Sequence, residues 1–484
     1  MEPEKINDSS DKFKRKIRES NHAILTRWAE TSVALADAPA IYDSSGRVVR
    51  TFSQIQVGAE IVAARLSQVG ARSVIALQGS NSPLWIECLL GIWMADGIAL
   101  LADGLLSPGA RHAAEMLTNA KARIRTDPSP DEPVIESLQT ENSRNIPECT
   151  TVDLIKLTSG TSGAPWPILF RADQLAADCD AICSTMGIRR GDLNFAVIAF
   201  SHSYGFSNLV TPLLCAGVPL VVSADNFPRS IINSINQAGA TVLPAVPAIF
   251  ESMAALEGSM PTLRLCISAG APLRTAVADA FHNRFGLKLH SFYGASECGG
   301  ICYDATEHRI QTDGFVGTPM DGAVLSIRES DQGRHLVHLK SPAVGLGSLT
   351  SPHGNLEVFD GFSPADWITG SAEHGYCVAG RVSDWINMAG RKVAPSEIEG
   401  VLRSAPAISD ALVFGVDDSR RGQKICALVT GEIDAISMDA VKRHCESHLA
   451  RWQVPREIRI VDRLPINDRG KISRRQIAQE WESQ

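Results

Sequence analysis

No apolar run in this chain is long and uncharged enough to span a bilayer. The longest candidate, Leu84 to Leu101, is broken by Glu87 and Asp96, so it reads as buried interior and not as a membrane span. Positive charge is not in excess either: 46 Lys and Arg face 54 Asp and Glu, for a formal net charge of −8. That balance excludes a general nucleic-acid binder and a polybasic membrane-surface protein. The basic cluster Lys12 to Arg18 follows Glu2, Glu4 and Asp8 and reads as a solvated helix face. Eleven cysteines lack the spacing of a disulfide framework. Cys179/Cys183 and Cys298/Cys302 are each four apart but have no second ligand cluster, which argues against a metal site. No signal-peptide pattern opens the chain, and the expected compartment is the reducing cytoplasm. Internal repeats and low-complexity tracts are missing.

What is present begins with size. A chain of 484 residues exceeds one compact core, so two or more units are expected. Between residues 20 and 125, helical and strand patterns alternate. Ile61, Ala64, Leu66 and Val69 follow helical spacing, Val74 to Leu77 reads as a short buried strand, Trp85 to Met94 as helix and Ile98 to Leu101 as strand. That rhythm predicts parallel α/β architecture. A Pro- and acid-rich connector, Asp127 to Pro133, interrupts it. It resumes with a helix over 172–186 and apolar runs at Phe195–Phe200, Leu220–Val222, Val242–Val246 and Leu263–Ile267. From about 315 to 380, Gly and Pro every few residues predict a small β-unit. A compact α+β tail follows, with strands at Ala411–Val416 and Ile425–Thr430, and Met438, Val441, Cys445, Leu449 and Trp452 on one helical face.

Residues 158–163 read Thr158-Ser159-Gly160-Thr161-Ser162-Gly163. Glycine lets the backbone turn its N–H groups toward an anion, and hydroxyls add donors without bulk, so the run suits a polyphosphate. A flexible linker has the same composition, and the run is not a Walker loop, because no Gly-Lys-Ser/Thr closes it. Other segments decide between the two. Ser268-Ala269-Gly270-Ala271-Pro272 is a strand-to-helix turn of small residues that a planar base could approach. Phe292-Tyr293-Gly294 leads into Ser296-Glu297, a carboxylate at a strand end where a hard cation could be held. Gly380-Arg381-Val382-Ser383-Asp384 and Gly390 to Glu399 follow, and Leu464 to Lys471 ends in an exposed lysine after Gly470. Arg50-Thr51-Phe52 and Asn81-Ser82-Pro83 complete the set.

In this order, these segments resemble the adenylate-forming superfamily of acyl-CoA synthetases, luciferases and peptide-synthetase adenylation domains, over residues 38 to 475. The resemblance implies a large N-terminal domain, 1–381, of parallel α/β sheets plus a small β-unit. A small mobile α+β domain, 382–484, would carry the catalytic lysine. It also implies that 158–163 wrap the phosphates of ATP, that Gly270-Ala271-Pro272 and Tyr293-Gly294 take the adenine, and that Ser296 bonds the α-phosphate. Glu297 would hold Mg²⁺, Arg381 would grip the ribose, Ser383 would be the hinge, and Gly390 would line a thiol tunnel. By the same resemblance Lys471 would be the catalytic cation: a mobile ammonium would quench charge that develops as a carboxylate attacks the α-phosphate. His202 would border the acyl pocket, with a catalytic and a structural role both open. The pocket itself would draw on His202, Tyr204, Phe206, Ala245, Val246, Ala269, Gly299, Gly300 and Ile301.

Three segments depart from the family pattern. Trp166 and Pro167 stand where a Lys and a Gly usually continue the phosphate loop. Ser371 replaces the ribose-binding Asp, giving up charge-assisted strength, and Ser383 replaces the usual hinge Asp or Lys. Two functions therefore stand at the level of sequence. One is a ligase that joins a small carboxylic acid, through an acyl-adenylate, to the thiol of CoA or of an acyl or peptidyl carrier protein's phosphopantetheine. The other is a homologue that binds an acyl-adenylate or acyl group without turnover. No Asp occurs over 200–206 to pair a substrate ammonium, which favours a plain acid over an α-amino acid.

Overall fold

The computed structural model describes residues 22–104, 106–127, 129, 132–139, 151–158, 166–223, 225–331, 333–349, 356–388, 391–418, 422–432, 436–465 and 473–482. Two compact units divide them. One holds the chain up to Leu325 with 338–362 and 372–375, and the other holds 326–337, 363–371 and the chain from Tyr376 onward. The second unit thus takes in several segments ahead of residue 382.

In the first unit the long apolar stretch resolves into a helix, Pro83–Met94, and a strand, Ile98–Ala102. Ser82 caps the helix by accepting from Trp85 N–H at 3.2 Å, with proline at the first helical position, where its missing N–H costs nothing. Asp96 takes the left-handed φ of +60° that turns helix into strand. Glu87 sits inside this buried helix and pairs with Arg50 at 2.9 Å. The helix Phe52–Leu66 starts on a capping box between Thr51 and Gln54. Its buried stripe is Phe52, Ile55, Ala59, Val62, Ala63 and Leu66, whereas Ile61 is 58% exposed. The helical spacing of Ile61, Ala64 and Leu66 was legible; Leu66 packs, Ile61 does not, and Ala59 and Val62 meet the close-approaching Gly91 of the neighbouring helix.

Two sheets form the framework. One contains parallel strands Leu289–Ala295, Leu265–Ser268, Val242–Ala245, Asn194–Ala196, Leu220–Val222 and Pro39–Asp43, side by side in that order. Antiparallel strands Gly299–Tyr303 and Val48–Thr51 flank it. The other has a parallel centre, Leu154–Thr158, Ile98–Ala102, Val74–Gln78 and Ala122–Arg125. The short strands expected over 315–380 are present; Phe315–Pro319 pairs with Gly299–Tyr303, and Gly347–Leu349 with Trp166–Phe170.

The second unit packs helices Pro395–Arg403 and Met438–His448 and the hairpin Ile408–Asp418/Gly422–Gly431 around Ile398, Leu402, Val413, Ala427, Val441 and Cys445. The helix ends at His448, so Leu449 and Trp452, expected on its face, pack on this core from just beyond it.

His22 caps the first described helix, Ala23–Ala34, accepting from Leu25 N–H through Nδ1 at 3.2 Å, with its ring 4.9 Å from Trp93. Burial lowers its pKa from 6.5 to about 4. The folded state therefore resists protonation that the unfolded chain accepts. Its contribution is complete above pH 6.5 and is lost as pH falls toward 4, by at most about 3 kcal/mol. Urea unfolding across that window should show a steeper loss for the wild type than for His22→Asn, which keeps a capping acceptor but does not titrate. Parallel curves would remove this assignment.

Candidate functional site

In the first sheet Ala245 lies opposite Ser268, and Ser268 opposite Ser291. These parallel strands therefore end on one edge, which is where open α/β sheets bind ligands. The segments leaving that edge carry Val246, then Ala269-Gly270-Ala271-Pro272, then Tyr293 to Glu297. Gly270, Ala271, Pro272 and Gly294 are exposed, and Tyr293, Ser296 and Glu297 are half-buried. Gly270 has φ +86°, and only Val246 Cγ1, at 3.4 Å, would neighbour a Cβ there. The turn leaves its backbone open to a flat group.

Glu297 stands in the turn of the hairpin Leu289–Ala295/Gly299–Tyr303. Cys298 N–H closes on the Ala295 carbonyl at 3.2 Å, and Gly299 follows with φ +67°. From across the rim, Ser203 Oγ donates to Ser296 Oγ at 2.9 Å. His202, just before it, accepts from Tyr204 N–H through Nδ1 at 3.2 Å. In the neutral ring this puts the proton on Nε2.

Thr158 ends the strand Leu154–Thr158 and pairs with Trp166 of the antiparallel strand Trp166–Phe170. Ser159, Gly160, Thr161, Ser162 and Gly163 lie outside the described residues, as do Gly390 and Lys471. The strand that follows the loop is tied to the Glu297 turn by two consecutive amides. Leu346 N–H donates to the Leu169 carbonyl at 2.8 Å, and Gly345 N–H to the Glu297 carbonyl at 2.9 Å. The two sheets are thus stitched together beside the carboxylate.

Two residues here escaped the sequence reading. Lys156, 1% exposed, places its ammonium 4.7 Å from the Phe170 ring and 5.2 Å from that of Phe206. Desolvation pushes its pKa below the ordinary lysine value, while Asp178, then Cys298 and Glu297, pull it up. Asp178, 3% exposed, accepts from Ser207 Oγ at 2.5 Å and from Gly300 N–H at 3.0 Å. A Cβ on Gly299 would collide with its carboxylate. A lysine within Leu154-Ile155-Lys156-Leu157 was a visible signal: a charge in a buried strand needs partners. Asp178 gave none, being one polar residue on a long helix.

The residues expected around an acyl group do not all meet. Tyr204 and Ala269 pack in one cluster with Phe292 and Met320, and Gly300 is pressed by Met320 Sδ. Ala245 belongs to a neighbouring core and Phe206 to another; Val246 and Gly299 are half-buried, and Ile301 is fully buried.

In the second unit Ser371 ends the strand Asp366–Ser371, and Arg381 lies 3.6 Å from Asp366. Ser383 is exposed in the turn Val382–Asp384 and donates to Asp384 Oδ1 at 3.2 Å. Arg474, three residues beyond Lys471, anchors this turn. It donates to Asp384 at 2.9 Å, to Glu399 at 2.7 Å and to the Val413 carbonyl at 3.0 Å.

The family model for AMP-binding enzymes matches residues 28–345, and that for their C-terminal domain matches 397–471. The chain belongs to the AMP-binding enzyme family. A 2-succinylbenzoate–CoA ligase of Geobacillus sp. is 26% identical over 91% of this chain and 94% of its own. A long-chain-fatty-acid–CoA ligase of Mycobacterium tuberculosis is 25% identical over 84% and 78%. This AMP-binding enzyme accordingly falls in the class of AMP-forming acid–thiol ligases. O-succinylbenzoate coenzyme A synthetase from Bacillus subtilis, solved with AMP, superposes with a TM-score of 0.78 at 18% identity over 93% of this chain and 97% of its own. It shares the fold. No helix among the described residues is long and apolar enough to cross a membrane.

Proposed function

We propose that the protein activates a plain carboxylic acid with ATP, releasing pyrophosphate, and passes the acyl group from the acyl-adenylate to the thiol of CoA. The observation that supports this most directly is the stitching of the Glu297 turn to the strand that leaves the Thr158–Gly163 loop, with Ser203 and Ser296 joined across the same rim. A phosphate loop and a carboxylate held in fixed relation are what a nucleotide phosphate needs on its two sides. Thr158 to Gly163 wrap the phosphates, Gly270-Ala271-Pro272 and Tyr293-Gly294 receive the adenine, and Ser296 bonds the α-phosphate. Arg381 and Ser371 serve the ribose. His202, with its proton on Nε2, offers a donor to the substrate carboxylate.

Mg²⁺ fits this site. Among the described residues no group of three or more His, Cys, Asp or Glu side chains gathers to hold a metal. An ion that keeps its waters and takes phosphate oxygens needs only one protein carboxylate, and Glu297 would supply it. When bound, the ion offsets phosphate charge. Lys471 adds a second cation as the carboxylate attacks, then leaves when the segment beyond Ser383 turns and brings the Gly390 loop to the thiol. A carrier protein's phosphopantetheine is the competing acceptor, and the cytoplasm is the compartment consistent with the unpaired described cysteines.

The test is acid-dependent ATP–pyrophosphate exchange over a broad panel of acids, followed by AMP release with CoA or with a phosphopantetheinylated carrier. Exchange with none of the acids would sink the ligase. Trp166 in place of the usual loop lysine supports a second reading, a non-catalytic binder. Tight nucleotide binding without exchange, unchanged in Lys471→Ala, would establish it.

A further inference from the structure

We infer that Asp178 is a positioning residue for the nucleotide site: its one buried carboxylate holds the Glu297 turn and the His202–Ser203 rim in fixed relation, so the grip on the phosphate end of ATP depends on a group behind it. This inference rests on the reading of Glu297 as the carboxylate that holds Mg²⁺, and deepens it. Asp178 lies in the middle of the helix Ala172–Met186 and is 3% exposed. Each of its oxygens serves a different element. Oδ1 accepts from Gly300 N–H at 3.0 Å, at the start of the strand that leaves the Glu297 turn. Oδ2 accepts from Ser207 Oγ at 2.5 Å. Ser207 belongs to the π-helical segment Phe206–Val210, whose first amide donates to the His202 carbonyl at 2.8 Å. One short helical turn therefore separates the rim from the carboxylate.

The turn is shaped around this carboxylate. Gly299 has φ +67°, and a Cβ there would collide with Asp178, so the hairpin reverses directly against it, two residues after Glu297. A third element converges on the same group. Lys156, in the strand Leu154–Thr158 that runs into the phosphate loop, is 1% exposed. Desolvation works against its ammonium, and Asp178 is the strongest influence in its favour. The strand entering the loop, the hairpin that presents Glu297 and the segment that presents Ser203 are far apart in the chain, yet they share one buried acceptor. Hydrogen bonds to an ionised group are among the stronger ones, and giving up either donor would leave a buried charge short of a partner. The three elements are therefore held to one geometry, in the way that groups behind a metal ligand fix its direction.

The test is calorimetric binding of ATP to the full-length protein in the absence of any acid, once with Mg²⁺ and once with EDTA, so that no turnover is needed. Asp178→Ala should raise the Kd measured with Mg²⁺ by about 10- to 100-fold, the usual loss when a group behind a metal ligand is removed, and the Kd measured with EDTA far less. Asp178→Asn, which keeps an oxygen for Gly300 N–H, should stay within about threefold of the wild type under both conditions. Asp192→Ala is the control. That carboxylate is also 3% exposed, pairs with Arg264 at 2.5 Å and accepts from Thr241 Oγ ahead of the strand Val242–Ala245, at the other edge of the sheet. Its loss should cost stability and leave both constants unchanged. A folded Asp178→Ala with the wild-type Kd for ATP and Mg²⁺ overturns the inference, and so does an equal loss with EDTA, in Asp178→Asn or in Asp192→Ala. If Asp178→Ala does not fold, Lys156→Met/Asp178→Ala is compared with Lys156→Met by the same criterion, since no buried cation is then left unpaired. A wild type that binds ATP no more tightly with Mg²⁺ than with EDTA overturns it too. Failure of ATP–pyrophosphate exchange with every acid sinks the ligase while leaving the binding result standing.

Discussion

Replacing Lys471 by alanine should slow acyl-adenylate formation by about 10²- to 10³-fold, the loss seen when one pre-placed charge-stabilising group is removed from a transition state. The attacking carboxylate and the departing pyrophosphate both carry negative charge, and the phosphate loop lacks its usual lysine, with Trp166 in that place. On the proposed reading, Lys471 would therefore bear a larger share of the neutralisation than the loop. The ammonium acts mainly in the transition state, so the loss should fall on kcat more than on the KM for ATP. Transfer to CoA from supplied acyl-adenylate should suffer much less, because the lysine is withdrawn in that step. Single-turnover adenylation and transfer assays separate the two. A rate within threefold of wild type in the first assay would defeat the role given to Lys471.

Asp178→Ala should destabilise the first unit by about 3–5 kcal/mol, the cost of removing one partner from a buried charged network. The carboxylate accepts from Ser207 and from Gly300 N–H, and it is the strongest influence opposing the desolvation of Lys156. Without it the lysine stays between Phe170 and Phe206 with weaker compensation, and the Gly299–Gly300 turn behind Glu297 loses its anchor. Adding Lys156→Met to the Asp178→Ala background should recover part of the loss, because the cation then no longer needs a counter-charge. Urea unfolding followed by intrinsic fluorescence measures both. A single-mutant cost below about 1 kcal/mol, the range of an ordinary surface pair, would show that Asp178 is not structural in this way.

The alternation of apolar runs made the α/β class and most elements readable. Pro83–Met94, Ile98–Ala102, Ala172–Met186 and the hairpin from Ile408 to Gly431 stand within a few residues of expectation. Strand ends were less legible. Phe195–Phe200 reads as one apolar run, yet only Asn194–Ala196 is strand, because the chain must turn there to deliver His202 and Ser203 to the rim. Which apolar residues of Phe52–Leu66 are buried was likewise not readable: Ile61 is exposed whereas Ala59 and Val62 pack, because the neighbouring helix selects the stripe.

By itself the sequence determined the family, through the order of its motifs from Thr158 to Lys471, and it placed a glutamate at 297, a lysine at 471 and no Asp over 200–206. These are local chemistry, carried by residue type and spacing. Only the tertiary structure decided that Gly345 and Leu346 tie two sheets together beside Glu297, that Lys156 is buried near Asp178, and that Asp178 joins Ser207 to Gly300. Each of these joins residues far apart in the chain, and a side chain's direction is set by what packs against it, which no local pattern records.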